Sequence, residues 1–137
     1  MKVITNWIEA MAFDATSDNG HTVRLDTTKD GGSLDSGMSP KKMILAALCG
    51  CSGMDVVDIL NKMKVPFSQL EITAEAEQTS EQPTVFKSID MVYSCKVDKE
   101  NEDKLKRAVS LSHEKYCGVS AMLVKHCAIN YTIHLID

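Results

Sequence analysis

The chain has 137 residues, 44% of them hydrophobic and 25% charged, with a formal net charge of -4. That length fits one domain able to bury about two thirds of its unfolded surface, and the balance argues against disorder and against a nucleic-acid partner. The opening Met-Lys-Val-Ile-Thr-Asn-Trp lacks a continuous apolar signal core, no segment is expected to reach the length of a membrane span, and the five cysteines are an odd number, so the chain is expected to work in the cytoplasm with reduced thiols and no membrane partner.

Residues 5–13 and 22–26 are extended candidates flanking Ser17-Asp18-Asn19-Gly20, whose Asn-Gly step favours a tight turn. A hairpin is predicted at the start. Residues 27–38, rich in glycine, serine and aspartate, predict a loop. Ser39 then supplies an N-cap and Pro40 a first helical position, opening a helix over 40–63. From Met43 to Cys51 this helix is apolar all round, as expected of one buried on every side; beyond, Asp55, Asp58, Asn61 and Lys62 oppose Val56, Ile59, Leu60 and Met63. Gly50 and Gly53 flank Cys51, each at a cost of up to about 1 kcal/mol relative to alanine. Such glycines serve either tight helix packing or close approach of a backbone or ligand.

Leu70, Ile72, Ala74 and Ala76 alternate with polar residues, the pattern of a half-exposed strand, and its partner over 86–97 places Ile89, Met91, Tyr93, Cys95 and Val97 on one face. A polar helix over 100–112, a second from about Cys117 to Lys125 and a closing strand over 128–136 complete the chain. The order ββ-α-ββ-α-α-β defines an α+β fold with one central apolar helix.

Cysteine is a frequently buried residue, and inert packing is the default for Cys49, Cys51, Cys95, Cys117 and Cys127. Cys49 and Cys51 lie about 200° apart on their helix and cannot share a metal ion without distortion. Cys117 stands near the start of the last helix, where free N–H groups favour a thiolate. Cys51, in an apolar helix, needs a positive or hydrogen-bonding neighbour from elsewhere to react. On these residues alone, a redox pair and buried packing both remain open. His113-Glu114 offers a base and its orienter, or simply two exposed residues; His126-Cys127 is half a metal site with no second pair at ligand spacing, so no metal is expected. His21 and His134 stand alone, and Gly31-Gly32 lacks the pattern of a phosphate loop.

Taken together, Ser39-Pro40, the run Leu-Ala-Ala-Leu-Cys-Gly-Cys51-Ser-Gly-Met-Asp-Val-Val and the downstream Glu-Lys-Tyr-Cys117-Gly-Val-Ser-Ala-Met-Leu resemble the OsmC/Ohr family of thiol peroxidases. The resemblance spans nearly the whole chain. It implies an intertwined homodimer with its central helices buried at the subunit interface, a peroxidatic Cys51, a resolving Cys117, an organic hydroperoxide as substrate and a lipoyl-type dithiol as reductant, with no metal, haem or flavin. A redox-sensing or small-molecule-binding dimer without turnover is the alternative. Peroxidase members carry a glutamate after the helix-start proline and an arginine in the preceding loop; here Lys41 and Lys42 follow Pro40, and residues 27–38 hold no arginine. Arg24, Lys29 and Lys41 are therefore the candidates for stabilising the thiolate.

Overall fold

A computed structural model describes residues 1–137, which divide into two compact units, Met1–Ile44 and Leu45–Asp137. The first holds an antiparallel sheet in the order β1 (Val3–Glu9), β2 (Ala12–Ser17) and β3 (Thr22–Leu25). The predicted opening strand is thus two strands, because Ala10 takes a left-handed φ of 45° and reverses the chain, with the Trp7 indole N–H donating to the Ala10 carbonyl at 3.0 Å. Ala10 to Phe13 is an unbroken apolar run with no glycine, proline or asparagine to mark the reversal, so the sequence pattern could not show it. The Asn-Gly turn joins β2 to β3, with Gly20 at φ 89°. The loop over 27–38 is tied down by Asp26, whose carboxylate accepts from the Thr27 N–H at 2.7 Å and from the Ser36 N–H and hydroxyl at 2.9 and 2.6 Å. Gly37 runs against β3 so closely that a Cβ there would lie 2.4 Å from the Arg24 carbonyl oxygen.

The helix α1 (Pro40–Lys62) starts in the first unit and gives most of its length to the second. There it accompanies a three-stranded sheet, β4 (Ser68–Gln78), β5 (Phe86–Lys96) and β6 (Ala128–Leu135), in that order. β4 and β5 pair antiparallel, with Ile72 opposite Tyr93 and Ala74 opposite Met91, whereas β5 and β6 are parallel. A parallel pair needs a crossover. It is supplied by a short 3₁₀ turn (Lys99–Asn101), α2 (Glu102–Leu111), a π-helical turn (Ser112–Tyr116) and α3 (Gly118–Leu123).

The core forms where Leu48, Val56, Ile59 and Leu60 of α1 and Leu105, Ala108 and Val109 of α2 join the buried face of β5, namely Ile89, Met91, Tyr93 and Cys95. Each fully buried leucine contributes about 1.5–3 kcal/mol. Gly53 faces β4, where an added Cβ would lie 3.0 Å from Ile72 Cδ1, whereas Gly50 faces open space. Of the two flanking glycines, only Gly53 serves close packing within the chain.

Two expectations for α1 need correction. Within one chain the stretch 43–51 is not buried all round: Leu48 is buried, while Ile44, Ala46 and Ala47 are exposed. α1 also reaches the length and apolarity of a membrane span, with 23 residues and a mean hydropathy of 1.8 over an 18-residue window. Its buried stripe, including the hydroxyl of Ser52, belongs to the core of the second unit, a pattern that core helices share with spans.

Candidate active site

α1 carries Cys51 at its midpoint and one helical turn later presents Asp55 on the same face. The second thiol comes from the crossover. The π turn ends at Cys117, whose N–H donates to the Ser112 carbonyl at 2.8 Å while its backbone turns extended, φ -71° and ψ 102°, to cap α3. The Cys117 sulfur accepts from the Ser120 N–H at 3.3 Å. Cys51 Sγ, Cys117 Sγ and a carboxylate oxygen of Asp55 thereby lie within 4.8 Å of one another. Cys51 and Asp55 are half-buried and Cys117 is only 2% exposed.

Burial pushes the Cys117 thiol up to about 11; the Ser120 N–H pulls the other way, and neighbouring Cys51 and Asp55 add to the rise. The expectation that the helix start would favour a thiolate at Cys117 is therefore overturned. One N–H group from a helix of six residues does not offset removal of the sulfur from water. The groups acting on this thiol include no cation.

Around the thiols runs a chain of polar side chains. The Ser112 hydroxyl donates to Asp55 Oδ2 at 2.9 Å and meets Ser52 Oγ at 2.9 Å; Ser52 bonds the Tyr93 hydroxyl, which reaches His113 Nε2 at 2.8 Å. His113 Nδ1 then meets Ser120 Oγ at 3.2 Å, beside the N–H that holds Cys117. The imidazole stacks on Tyr131 with centroids 4.5 Å apart and meets Tyr93 edge-on at 5.9 Å. Burial lowers the His113 pKa, favouring the neutral ring, and holds the Tyr93 phenol well above its ordinary range despite the Ser52 bond. No buried side-chain nitrogen or oxygen lacks a partner.

His113 is thus half-buried in this network, and Glu114 does not orient it: that carboxylate accepts from the Ser110 hydroxyl at 2.7 Å. Asp55, Ser52, Ser112, Tyr93 and Ser120 were not singled out as site residues by the sequence. The one available signal was the spacing of Cys51 and Asp55, four residues apart on a helix.

The structure brings Cys51 and Cys117 together and places the three basic candidates in the first unit. Arg24, on β3, grips both oxygens of Asp14, with Nη2 to Oδ2 at 3.1 Å, and its Nη1 reaches Ser36 Oγ at 3.3 Å. The hydrogen bonds that Arg24 donates to Asp14 raise the guanidinium pKa. Lys29 is exposed in the loop, and Lys41 is half-buried in the first turn of α1. Among the remaining cysteines, Cys95 and Cys127 are buried and Cys49 is half-buried, with burial raising Cys95 and Cys49. His126 Nε2 bonds the Phe86 carbonyl at 3.0 Å.

Two sheets, a central helix and a thiol pair formed between that helix and a crossover define an α+β dithiol protein. The chain belongs to the OsmC-like protein family, whose model matches residues 31–132. It is 36% identical over 132 residues to Protein YhfA of Escherichia coli K12, covering 96% of this chain and 94% of that protein. The fold is shared with an OsmC-like protein from Mycoplasma pneumoniae at 15% identity, with a TM-score of 0.83 and coverage of 99% and 96% of the two chains. An organic hydroperoxide resistance protein from Elizabethkingia anophelis has the same fold at 14% identity, with a TM-score of 0.72 and coverage of 99% and 97%.

Proposed function

We propose that the chain is a thiol-dependent peroxidase that reduces organic hydroperoxides, with Cys51 as the peroxidatic and Cys117 as the resolving cysteine. The observation that carries this reading is the approach of the two sulfurs to within 4.8 Å. Cys51, the less buried of the pair, loses its proton and attacks the distal peroxide oxygen; the O–O bond breaks, and the alkoxide takes up a proton and leaves as alcohol. Asp55 is near enough to relay that proton through one water. The Cys117 sulfur then attacks the Cys51 sulfenic acid, water departs and a disulfide forms. Closing to an S–S bond of about 2.05 Å needs local rearrangement about the two cysteines. A lipoyl-type dithiol restores both thiols by exchange, becoming a disulfide itself.

The same reading makes the chain a homodimer working in the reducing cytoplasm. Exposed Trp7, Val3 and Ile4 on β1, and Ile44, Met54 and Val57 on α1, support association. All five cysteines are free, which suits a reducing compartment.

Anaerobic mixing of reduced protein with cumene hydroperoxide tests the mechanism. Thiol loss should be rapid in the parent, fall to background in Cys51→Ser and stop at the sulfenic acid in Cys117→Ser. Consumption by Cys51→Ser as fast as by the parent would sink it. Burial, which pushes the resolving Cys117 thiol up to about 11, favours a second reading, a redox sensor oxidised once and not recycled. Repeated turnover with a lipoyl dithiol would rule that out.

A further inference from the structure

Going beyond the peroxidase reading and not requiring turnover, we infer that the reduced Cys51, Asp55 and Cys117 cluster binds one soft divalent cation, with zinc as its representative, and that oxidation of the two thiols releases it. The donor set is two sulfurs and one carboxylate oxygen, which a borderline-soft cation such as zinc accepts in three of its four tetrahedral positions. With Zn–S bonds of about 2.3 Å, tetrahedral sulfurs stand about 3.8 Å apart. The three atoms already lie within 4.8 Å of one another, so the site closes by small side-chain movements. Water would occupy the fourth position.

Two further observations point the same way. The Ser112 hydroxyl holds Asp55 Oδ2 at 2.9 Å and is itself held by Ser52, while the Ser120 N–H holds the Cys117 sulfur at 3.3 Å. Ligands anchored from behind in this manner are the outer-shell arrangement that orients metal sites. Sequence spacing could not show this site, because its two thiols lie on α1 and at the start of α3.

Release follows from electron balance. An organic hydroperoxide removes two electrons from the metal-bound thiolates, the S–S bond forms as the O–O bond breaks, and two protons complete alcohol and water. A disulfide no longer offers thiolate ligands, and the cation leaves.

Anaerobic titration of the reduced full chain with Cd²⁺, read through its thiolate charge-transfer band and followed by Zn²⁺ competition, tests the inference. One equivalent should saturate the band, with zinc displacing it. Cys51→Ser and Cys117→Ser should each lower affinity by more than about a hundredfold, beyond the effect of losing an outer-shell partner. Oxidised parent protein should take up none, a control that needs no variant to fold. Absence of a saturable band, an unchanged band after oxidation, or one that persists in the double variant Cys51→Ser/Cys117→Ser would overturn the proposal. A chain that binds Cd²⁺ yet ignores hydroperoxide keeps the cation site but loses both its hydroperoxide-driven release and the peroxidase reading; one that consumes hydroperoxide but binds no Cd²⁺ keeps the peroxidase reading and loses this inference.

Discussion

The two units handle their polar groups differently. In Met1–Ile44 the tied-down polar groups are charged side chains: Arg24 grips Asp14, and the buried Asp26 carboxylate accepts from Ser36 and Thr27. In Leu45–Asp137 the inner polar groups form a chain of hydroxyls and a histidine, Ser52, Ser112, Tyr93 and His113, ending at Asp55 and the thiols. An ion pair near water is worth little and yields to salt, whereas buried hydroxyls are costly to leave unpaired. The thiols are therefore flanked by hydroxyl bonds that are costly to break, while Arg24 is held by Asp14.

This contrast can be tested separately in each unit, since the sole tryptophan, Trp7, reports on the first and Tyr93, Tyr116 and Tyr131 report on the second. The largest expected effect is Leu60→Ala, which empties a fully buried position and should cost about 2–5 kcal/mol in urea unfolding read by the tyrosines. Tyr93→Phe should cost about 1–3 kcal/mol, because Ser52 and His113 each lose a partner. A cost indistinguishable from zero would mean that the hydroxyl chain carries no stability.

Smaller effects follow from pH. Burial lowers the folded pKa of His113, so the unfolded chain takes up the proton first as pH falls. Stability from neutral His113 is complete above about pH 6.5 and is lost progressively below it. The tyrosine-reported urea midpoint should fall between pH 7.5 and 5.5, with the slope abolished in His113→Gln. Asp26 and Asp14 are lowered by their hydrogen-bond partners, Ser33 and Ser36 for the first and Arg24 for the second. Their contribution is present above about pH 4 and lost below it. The tryptophan signal should therefore hold its midpoint through pH 5.5 and lose it in stronger acid. The smallest effect is expected for Arg24→Gln: a slight drop of the tryptophan-reported midpoint at low salt that shrinks as salt is added. Equal acid sensitivity of both signals between pH 7.5 and 5.5 would erase the contrast.

Much of the fold was legible because it rests on local patterns. Ser39-Pro40 opens α1 where capping places it, and the alternation from Leu70 to Ala76 and from Ile89 to Cys95 gives the half-buried β4 and the core face of β5. The break at Ala10 was not legible, since a left-handed alanine leaves no pattern in its neighbours. Of the site, the pair Cys51 and Cys117 was legible as motifs, while the polar chain was not: Tyr93 read as one more apolar face residue, and Asp55 as an outward-facing charge.

Periodicity and capping act within a few residues, so the elements, the central helix and two thiols set in recognisable runs can be read along the chain. What surrounds those thiols cannot. Whether a sulfur meets a guanidinium, a carboxylate or a second sulfur depends on contacts between residues far apart in the chain, and here the fold put Asp55 beside Cys51 and Cys117 and gave Arg24 to Asp14.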